Sequence, residues 1–209
     1  MSRTRIKREP QRGRYDRETI DAILDEALIA HVGFAQDGQP YVIPTLHARV
    51  GDVVYFHGSA ASRMLRELDG GVPVCLTVTL FDGLVLAKSV FNHSVNYRSV
   101  VLLGTATRVP DGEKEEALRA LTEQLAPGRW DEVRAPTALE LKATWILALP
   151  IDEASAKVRV GGPEEEPEDE DLPIWHGVVP VQLTAGPSEY NWKRVRDGIV
   201  GAPTKEEAR

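Results

Sequence analysis

Asn92-His93-Ser94-Val95-Asn96-Tyr97-Arg98-Ser99-Val100 is a polar, donor-rich patch set between two runs that read as buried strands. Strand ends and loops carry function more often than strand interiors, because a rigid sheet aims their side chains. Upstream, His57-Gly58-Ser59-Ala60-Ala61-Ser62-Arg63 forms a second polar cluster, where a strand stops and a helix is expected to start. Two such clusters on a β scaffold point to a site for a phosphorylated ligand, although neither is a P-loop or a dinucleotide-binding fingerprint.

Around these clusters the hydrophobic period is mostly two. Ala30 to Ala35 and Tyr41 to Val50 are expected strands joined across Asp37-Gly38, a turn dipeptide whose glycine accepts positive φ. Gly51-Asp52 makes the next turn, and Val53-Val54-Tyr55-Phe56-His57 returns as a third strand. Val72 to Leu80, Leu84 to Val90 and Tyr97 to Val109 are three more β-rich runs, and Thr144 to Leu149 is a last strong strand. Helical spacing is confined to three places. Ile20, Ile23, Leu24, Ala27 and Leu28 predict a helix from Arg17 to Leu28 capped by Asp16. Ser59 to Leu68 predicts a short helix ended by Gly70-Gly71, and Asp111 to Leu125 a longer one. Six or more strands with few helices predict a mainly β fold, closed into a small barrel that removes exposed sheet edges.

Composition bounds the rest. A chain of 209 residues, 42% hydrophobic and 27% charged, fits one domain of roughly 150 residues with appendages. The single cysteine, Cys75, excludes an intrachain disulfide and a cysteine-rich zinc site and fits a reducing compartment. Within Val74-Cys75-Leu76 it reads as a small core residue. The start has no apolar stretch behind its basic residues, and no run approaches the roughly 18 apolar residues of a membrane helix. The expectation is a cytoplasmic protein with no membrane partner and no metal. The net charge of −7 is concentrated in Glu164 to Asp171, which holds seven acids and no base and reads as a solvated loop. Arg3, Arg5, Lys7, Arg8, Arg12, Arg14 and Arg17 make the N-terminus basic. Without aromatic interleaving or a recognition helix, that arm is read as flexible, packing on a neighbouring subunit and not on nucleic acid.

The candidate site residues follow from chemistry. A helix N-terminus favours anions, so Arg63 in a first turn makes sense with an anion between the two, and Ser59 and Ser62 add hydroxyl donors while Gly58 allows close approach. The plainer alternative is that Ser59 only caps the helix and Arg63 only faces solvent. His57 is either a packed histidine or an active-site group. Ser94, Asn96 and Ser99 can bond phosphate or ribityl oxygens, Arg98 can form a charge-assisted fork, Tyr97 can stack on a flat ring, and Lys88 sits as a charge among apolar residues. In period-two geometry Tyr97 and Ser99 share one face, while Arg98 and Val100 share the other. Either Arg98 serves a subunit contact or the pocket lies between two subunits.

A resemblance gathers these pieces. Gly38-Gln39-Pro40-Tyr41-Val42-Ile43-Pro44-Thr45, Tyr55-Phe56-His57-Gly58-Ser59, Ser62-Arg63-Met64-Leu65-Arg66, Cys75-Leu76-Thr77-Val78-Thr79, His93 to Val100, Pro127-Gly128-Arg129-Trp130 and Lys157-Val158-Arg159 occur in an order that resembles the pyridoxamine 5'-phosphate oxidase-like, FMN-binding split-barrel superfamily. The branch resembled is that of flavin-nucleotide-binding proteins, close to nitroimidazole-resistance reductases. The resemblance implies a homodimer of six-stranded antiparallel split barrels with FMN in clefts between subunits. It places His57 to Arg63 at the FMN phosphate and ribityl chain, Pro44, Thr45, Thr77 and Val78 along the flavin ring, and makes His57 the candidate catalytic group. Lys157-Val158-Arg159 is followed by Val160, so the oxidase's own Arg-x-His segment is missing. The expected divisions are a basic arm over 1–15, the FMN-binding barrel over 16–162, and an acidic loop with C-terminal extension over 163–209. In the extension, Leu172 to Pro180 is expected to fold back on the barrel or its partner with Trp175 as the packing anchor.

The implied function is an FMN-dependent oxidoreductase acting on a small planar or nitro-aromatic acceptor. Its nicotinamide donor, NAD(P)H, would bind transiently, because no Gly-rich fingerprint is present. The alternatives are a non-catalytic flavin or haem binding or storage protein, for which His31, His47, His57, His93 and His176 are possible axial ligands, and a deazaflavin-dependent reductase.

Overall fold

The computed structural model describes residues 3–185. After a short strand β1 (Gly13–Arg14), helix α1 (Arg17–Glu26) starts where the Asp16 carboxylate accepts a hydrogen bond from the Thr19 amide, and it turns Ile20, Ile23 and Leu24 inward. Strands β2 (Ile29–Gln36) and β3 (Gln39–Val50) form a hairpin across Asp37 and Gly38, whose φ angles of 52° and 81° match the two-residue turn that strand twist favours. Strand β4 (Val53–Ser59) leads into α2 (Arg63–Asp69). The long pair β5 (Pro73–Leu86) and β6 (Ser94–Thr105) follows, then β7 (Thr107–Arg108), α3 (Lys114–Leu125), α4 (Ala138–Ala143), β8 (Thr144–Pro150), β9 (Glu153–Arg159) and β10 (Gly177–Pro180). No helix among the described residues is long and apolar enough to cross a membrane.

All pairings are antiparallel, in the order β1-β9-β6-β5-β2-β3-β4-β8-β7, with β10 added to β5. Among the described residues ten strands therefore replace the six expected. Val32, Phe56, Leu76, Leu102, Leu147 and Ala156, from six different strands, enter one buried cluster, so the sheet curls round its core. Helices α1 and α2 plug that core with Ile20, Ile23, Leu24, Met64, Leu65 and Leu68. Helix α3 covers the other face of β3 and β8, where Ala117 and Leu121 meet Ala48 and Ile146.

Several expectations are corrected. Gly58 and Ser59 pair with Trp145 and Thr144, so the backbone there is extended, and α2 begins at Arg63, not at Ser59. The run Leu84 to Val90 is no separate strand: β5 continues through a register shift between Phe81 and Gly83, and it stops at Leu86. Gly83 suits that bend because β10 passes so close that a Cβ would lie 2.9 Å from the Val179 carbonyl oxygen. Cys75 alternates with buried Val74 and Leu76 and lies half-buried on the outer face of the sheet, outside the core. The basic segment read as a flexible arm packs on its own chain: Arg3 pairs with Glu153, Thr4 is buried, and Gly13–Arg14 pair with β9. The segment after the acidic loop folds back as β10 on β5, but Trp175 is 64% exposed and lies against Gly177, so it is not a buried anchor among the described residues.

Candidate functional site

The end of β4 and the turn before α2 bring one set of predicted residues together. Ser62 N–H donates to the Ser59 carbonyl at 2.8 Å, Ala61 N–H to Ser59 Oγ at 3.2 Å, and Ala60 N–H to the Ala143 carbonyl at 2.8 Å. These bonds fix the turn 59–62 against the start of β8. Ser62 occupies the helix cap position without a side-chain capping bond, which leaves its hydroxyl available. The Arg63 guanidinium lies 4.2 Å from the Tyr41 ring centroid, and Tyr41 stacks on Phe34 at 5.5 Å. Arg66 Nε donates to the Ala60 carbonyl at 3.1 Å. Among the described residues Arg63 and Arg66 carry no ion pair, whereas Arg3, Arg17, Arg49, Arg98 and Arg134 each engage a carboxylate at 3.0 Å or less. Two guanidinium groups without acids, on one turn, suit an external anion.

Next to this turn, the Thr45 hydroxyl reaches the Leu46 carbonyl at 3.3 Å and the His57 carbonyl at 3.5 Å, tying β3 to β4. His57 pairs with Ile146, so its ring shares the α3 side of the sheet. Its Nδ1 is buried without a hydrogen-bond partner, and burial holds its pKa below the ordinary histidine range. The ring is therefore neutral at physiological pH, better suited to accepting a bond or a ligand than to serving as an imidazolium acid.

A second set lies on the outer face of the sheet. Pro44, His31, Thr77 and Val101 form one rung across β3, β2, β5 and β6. Ser99, paired with Thr79, and Tyr97, paired with Phe81, continue the same face. The Ser99 hydroxyl donates to the Lys157 carbonyl at 3.3 Å. Val78 belongs to neither set, because its side chain is fully buried in the core.

The remaining predicted residues are engaged elsewhere. Arg98 binds Asp82 at 2.8 and 3.0 Å and Glu26 at 2.8 Å, with a further shorter contact to Glu26, and these acids raise its pKa. Within the protomer its guanidinium is taken up by these two carboxylates. It clamps α1 to the β5 bend. Asn96 is buried, accepting from Arg159 at 2.7 Å and donating to the Gly161 carbonyl at 3.0 Å. Lys88 is taken by the acidic segment: its backbone N–H meets Glu165 Oε1 at 3.1 Å, and its ammonium donates to the Glu170 carbonyl. Glu165 is thus drawn in, its side chain only 12% exposed, while Glu164, Glu166, Glu168, Glu170 and Asp171 stay exposed as expected. Ser94, paired with Val85, stays half-buried at the start of β6.

Tyr41, Arg66 and Trp145 were missed as site residues. Tyr41 and Arg66 stood inside recognised motifs but read there as strand and helix residues. The platform at Trp145, with the Arg108 guanidinium 4.3 Å from its ring, joins residues distant in sequence and left no local signal.

The family model for pyridoxamine 5'-phosphate oxidase matches residues 16–158. The chain belongs to the pyridoxamine 5'-phosphate oxidase-like split-barrel family. It is 42% identical to the flavocytochrome Anf3 from Azotobacter vinelandii, over 99% of this chain and 94% of that one, with a TM-score of 0.85. It is 40% identical to the FAD and haem binding protein from Mycobacterium smegmatis, over 90% of this chain and 92% of that one, with a TM-score of 0.83. A protein assigned to 5-nitroimidazole antibiotic resistance from Bacteroides thetaiotaomicron shares 22% identity over 70% of this chain and 86% of that one, with a TM-score of 0.59. That last likeness is one of fold alone. A search of curated proteins returns no match.

The family's residues here fit a flavin on this chain's own geometry: two acid-free arginines at the 59–66 turn, and the orphaned Nδ1 of His57 beside it. Two histidines fit haem. His93 Nδ1 lies 2.8 Å from the Ser89 carbonyl and His176 Nδ1 2.9 Å from Glu165 Oε1. Both acceptors fix the proton on Nδ1, leaving the Nε2 lone pair outward, the arrangement a metal-ligating histidine needs. Just before His93 in the chain, Val90 and Phe91 are 92% and 91% exposed.

Proposed function

We propose that this chain is a flavocytochrome-like redox protein that holds FAD and haem in a homodimer. The observation that carries the reading is the identity of 42% and 40%, over 99% and 90% of the chain, with a flavocytochrome and with a protein that binds FAD and haem. FAD replaces the FMN expected from sequence. A nitro-aromatic acceptor loses its support, because the likeness that pointed to it is 22% identical.

Ser59, Ser62, Arg63 and Arg66 would hold the flavin phosphates, and Thr45, Gly58 and His57 would line the chain leading to the ring. The outer rung of Pro44, His31 and Thr77 would meet the partner subunit. Val42, 67% exposed, and Phe81 give that face apolar surface to cover. A cavity of about 350 Å³ opens there between Gly33, Tyr41, Val42, Cys75 and Leu103. Bound flavin supplies hydride and single-electron chemistry, while the protein orients the ring and excludes water. His93 and His176 are the proposed haem ligands. A reductant such as NAD(P)H would approach through solvent.

The absorption spectrum of the purified protein tests this. Flavin bands together with a Soret band that shifts on reduction are expected. A colourless protein that gains neither spectrum on addition of FAD and haemin would overturn the reading.

A further inference from the structure

A concavity adjoins the strand pairing that carries the proposed flavin turn. It encloses about 760 Å³ between Arg108, Asp111, Lys114, Leu141, Lys142 and Trp145, within the 300–1,000 Å³ usual for small-molecule sites. Its floor is shared with the turn. Trp145 and Thr144 pair with Gly58 and Ser59, and the Ala60 amide is bonded to the Ala143 carbonyl, one residue from Lys142. Adjacent strands lie about 4.8 Å apart, so a ligand with phosphates on the turn reaches the cavity without crossing another element.

The lining has the chemistry of a nucleotide site. Trp145 offers an indole plane with the Arg108 guanidinium already against it at 4.3 Å, a pairing on which purine bases stack. Lys114 is buried, with Asp111 at 2.8 Å and the Leu141 carbonyl at 3.1 Å, so one of its three N–H donors is left. Lys142 at the mouth is exposed and carries no ion pair among the described residues. Three cations therefore face one lining acid, Asp111, while Asp69 answers Arg108 at 3.5 Å from outside.

We propose that this cavity is the adenylate subsite of the flavin dinucleotide, with the adenine on the Trp145–Arg108 platform and the AMP phosphate toward Lys142 and Lys114. The assignment rests on the FAD reading above and deepens it. The 59–66 turn holds the phosphate common to FMN and FAD. The cavity holds the half that only FAD possesses, and so selects the dinucleotide.

Titration of flavin-free protein with FAD and, separately, with FMN decides the matter by the quenching of flavin fluorescence. Lys142→Glu changes an exposed side chain and should fold; Trp145→Ala removes the platform, with Trp145→Phe as the conservative control. Lys142→Glu and Trp145→Ala should each weaken FAD at least about 10-fold while FMN affinity stays within about 2-fold, and Trp145→Phe should retain FAD. AMP alone should compete with FAD and not with FMN. Equal losses for FAD and FMN, or an unchanged FAD affinity in Lys142→Glu, would overturn the subsite while leaving FAD binding intact. Wild-type protein that binds FMN but not FAD would overturn both readings at once.

Discussion

Arg98 and Arg63 both look like phosphate ligands in the sequence, and the structure assigns them opposite roles. Arg98→Ala removes bonds to Asp82 at 2.8 and 3.0 Å and to Glu26 at 2.8 Å. A hydrogen bond to a charged group contributes about 1.5–3 kcal/mol when shielded. The Glu26 side chain is 53% exposed and the Asp82 side chain 28%, so the Glu26 arm is worth about 0.5 kcal/mol and the Asp82 arm about 1.5 kcal/mol after screening. The loss is then about 2 kcal/mol, which for a chain of this size lowers Tm by about 4–8 °C. The effect depends on pH with a defined sign. Arg98 holds the Glu26 pKa below its ordinary value, so the bridge stabilises fully above the unfolded carboxylate value and is lost as pH falls through the lowered folded one. The Glu26 share of the gap between wild type and variant should close as pH falls below about 4. Thermal melts from pH 7 to pH 3, paired with flavin titrations, give the answer. An Arg98→Ala protein with wild-type Tm but weakened flavin binding would refute the clamp and restore Arg98 to the cofactor site.

Arg63→Ala should behave inversely, losing about 1.5–3 kcal/mol of flavin binding, measured by equilibrium titration, with its Tm close to wild type. Burial lowers the pKa of His47, which is fully buried, and of His57, which is half-buried, so the flavin-free protein should keep full stability above the unfolded histidine value of about 6.5 and lose it as pH falls below; denaturant melts at pH 7.5 and 5.5 check this, and a double His47→Gln, His57→Gln variant should flatten the profile. Val42→Glu, placed on the exposed outer face, should convert the expected dimer to monomer in sedimentation velocity, and a dimer unaffected by that charge would move the interface elsewhere.

Much of the fold was legible because β2, β4 and the first half of β5 alternate, with Val74, Leu76 and Val78 inward and Cys75, Thr77 and Thr79 outward. The same alternation misplaced Cys75, since a small apolar-looking residue between two core residues faces away from them. Strand β9, Glu-Ala-Ser-Ala-Lys-Val-Arg, carries almost no β propensity. It is a strand because β6 pairs along its whole length and buries Ala156. Asn96, Arg98 and Lys88 have partners within the chain that the sequence did not reveal. Their partners Arg159, Glu26, Asp82 and Glu165 lie between 16 and 77 residues away, and sequence spacing cannot show that a polar group is already satisfied. The turn at Ser59 to Arg63 was legible because its donors are local. Its helix boundary was not, because pairing with β8 overrides the helical preference of Ala60 and Ala61.

Native mass spectrometry of the protein as purified addresses the central claim most directly, since it weighs subunits and cofactors together. A dimer carrying FAD and haem is the expected species, releasing FAD and haem on denaturation. A monomer, or a dimer whose bound mass is FMN alone, would contradict the account.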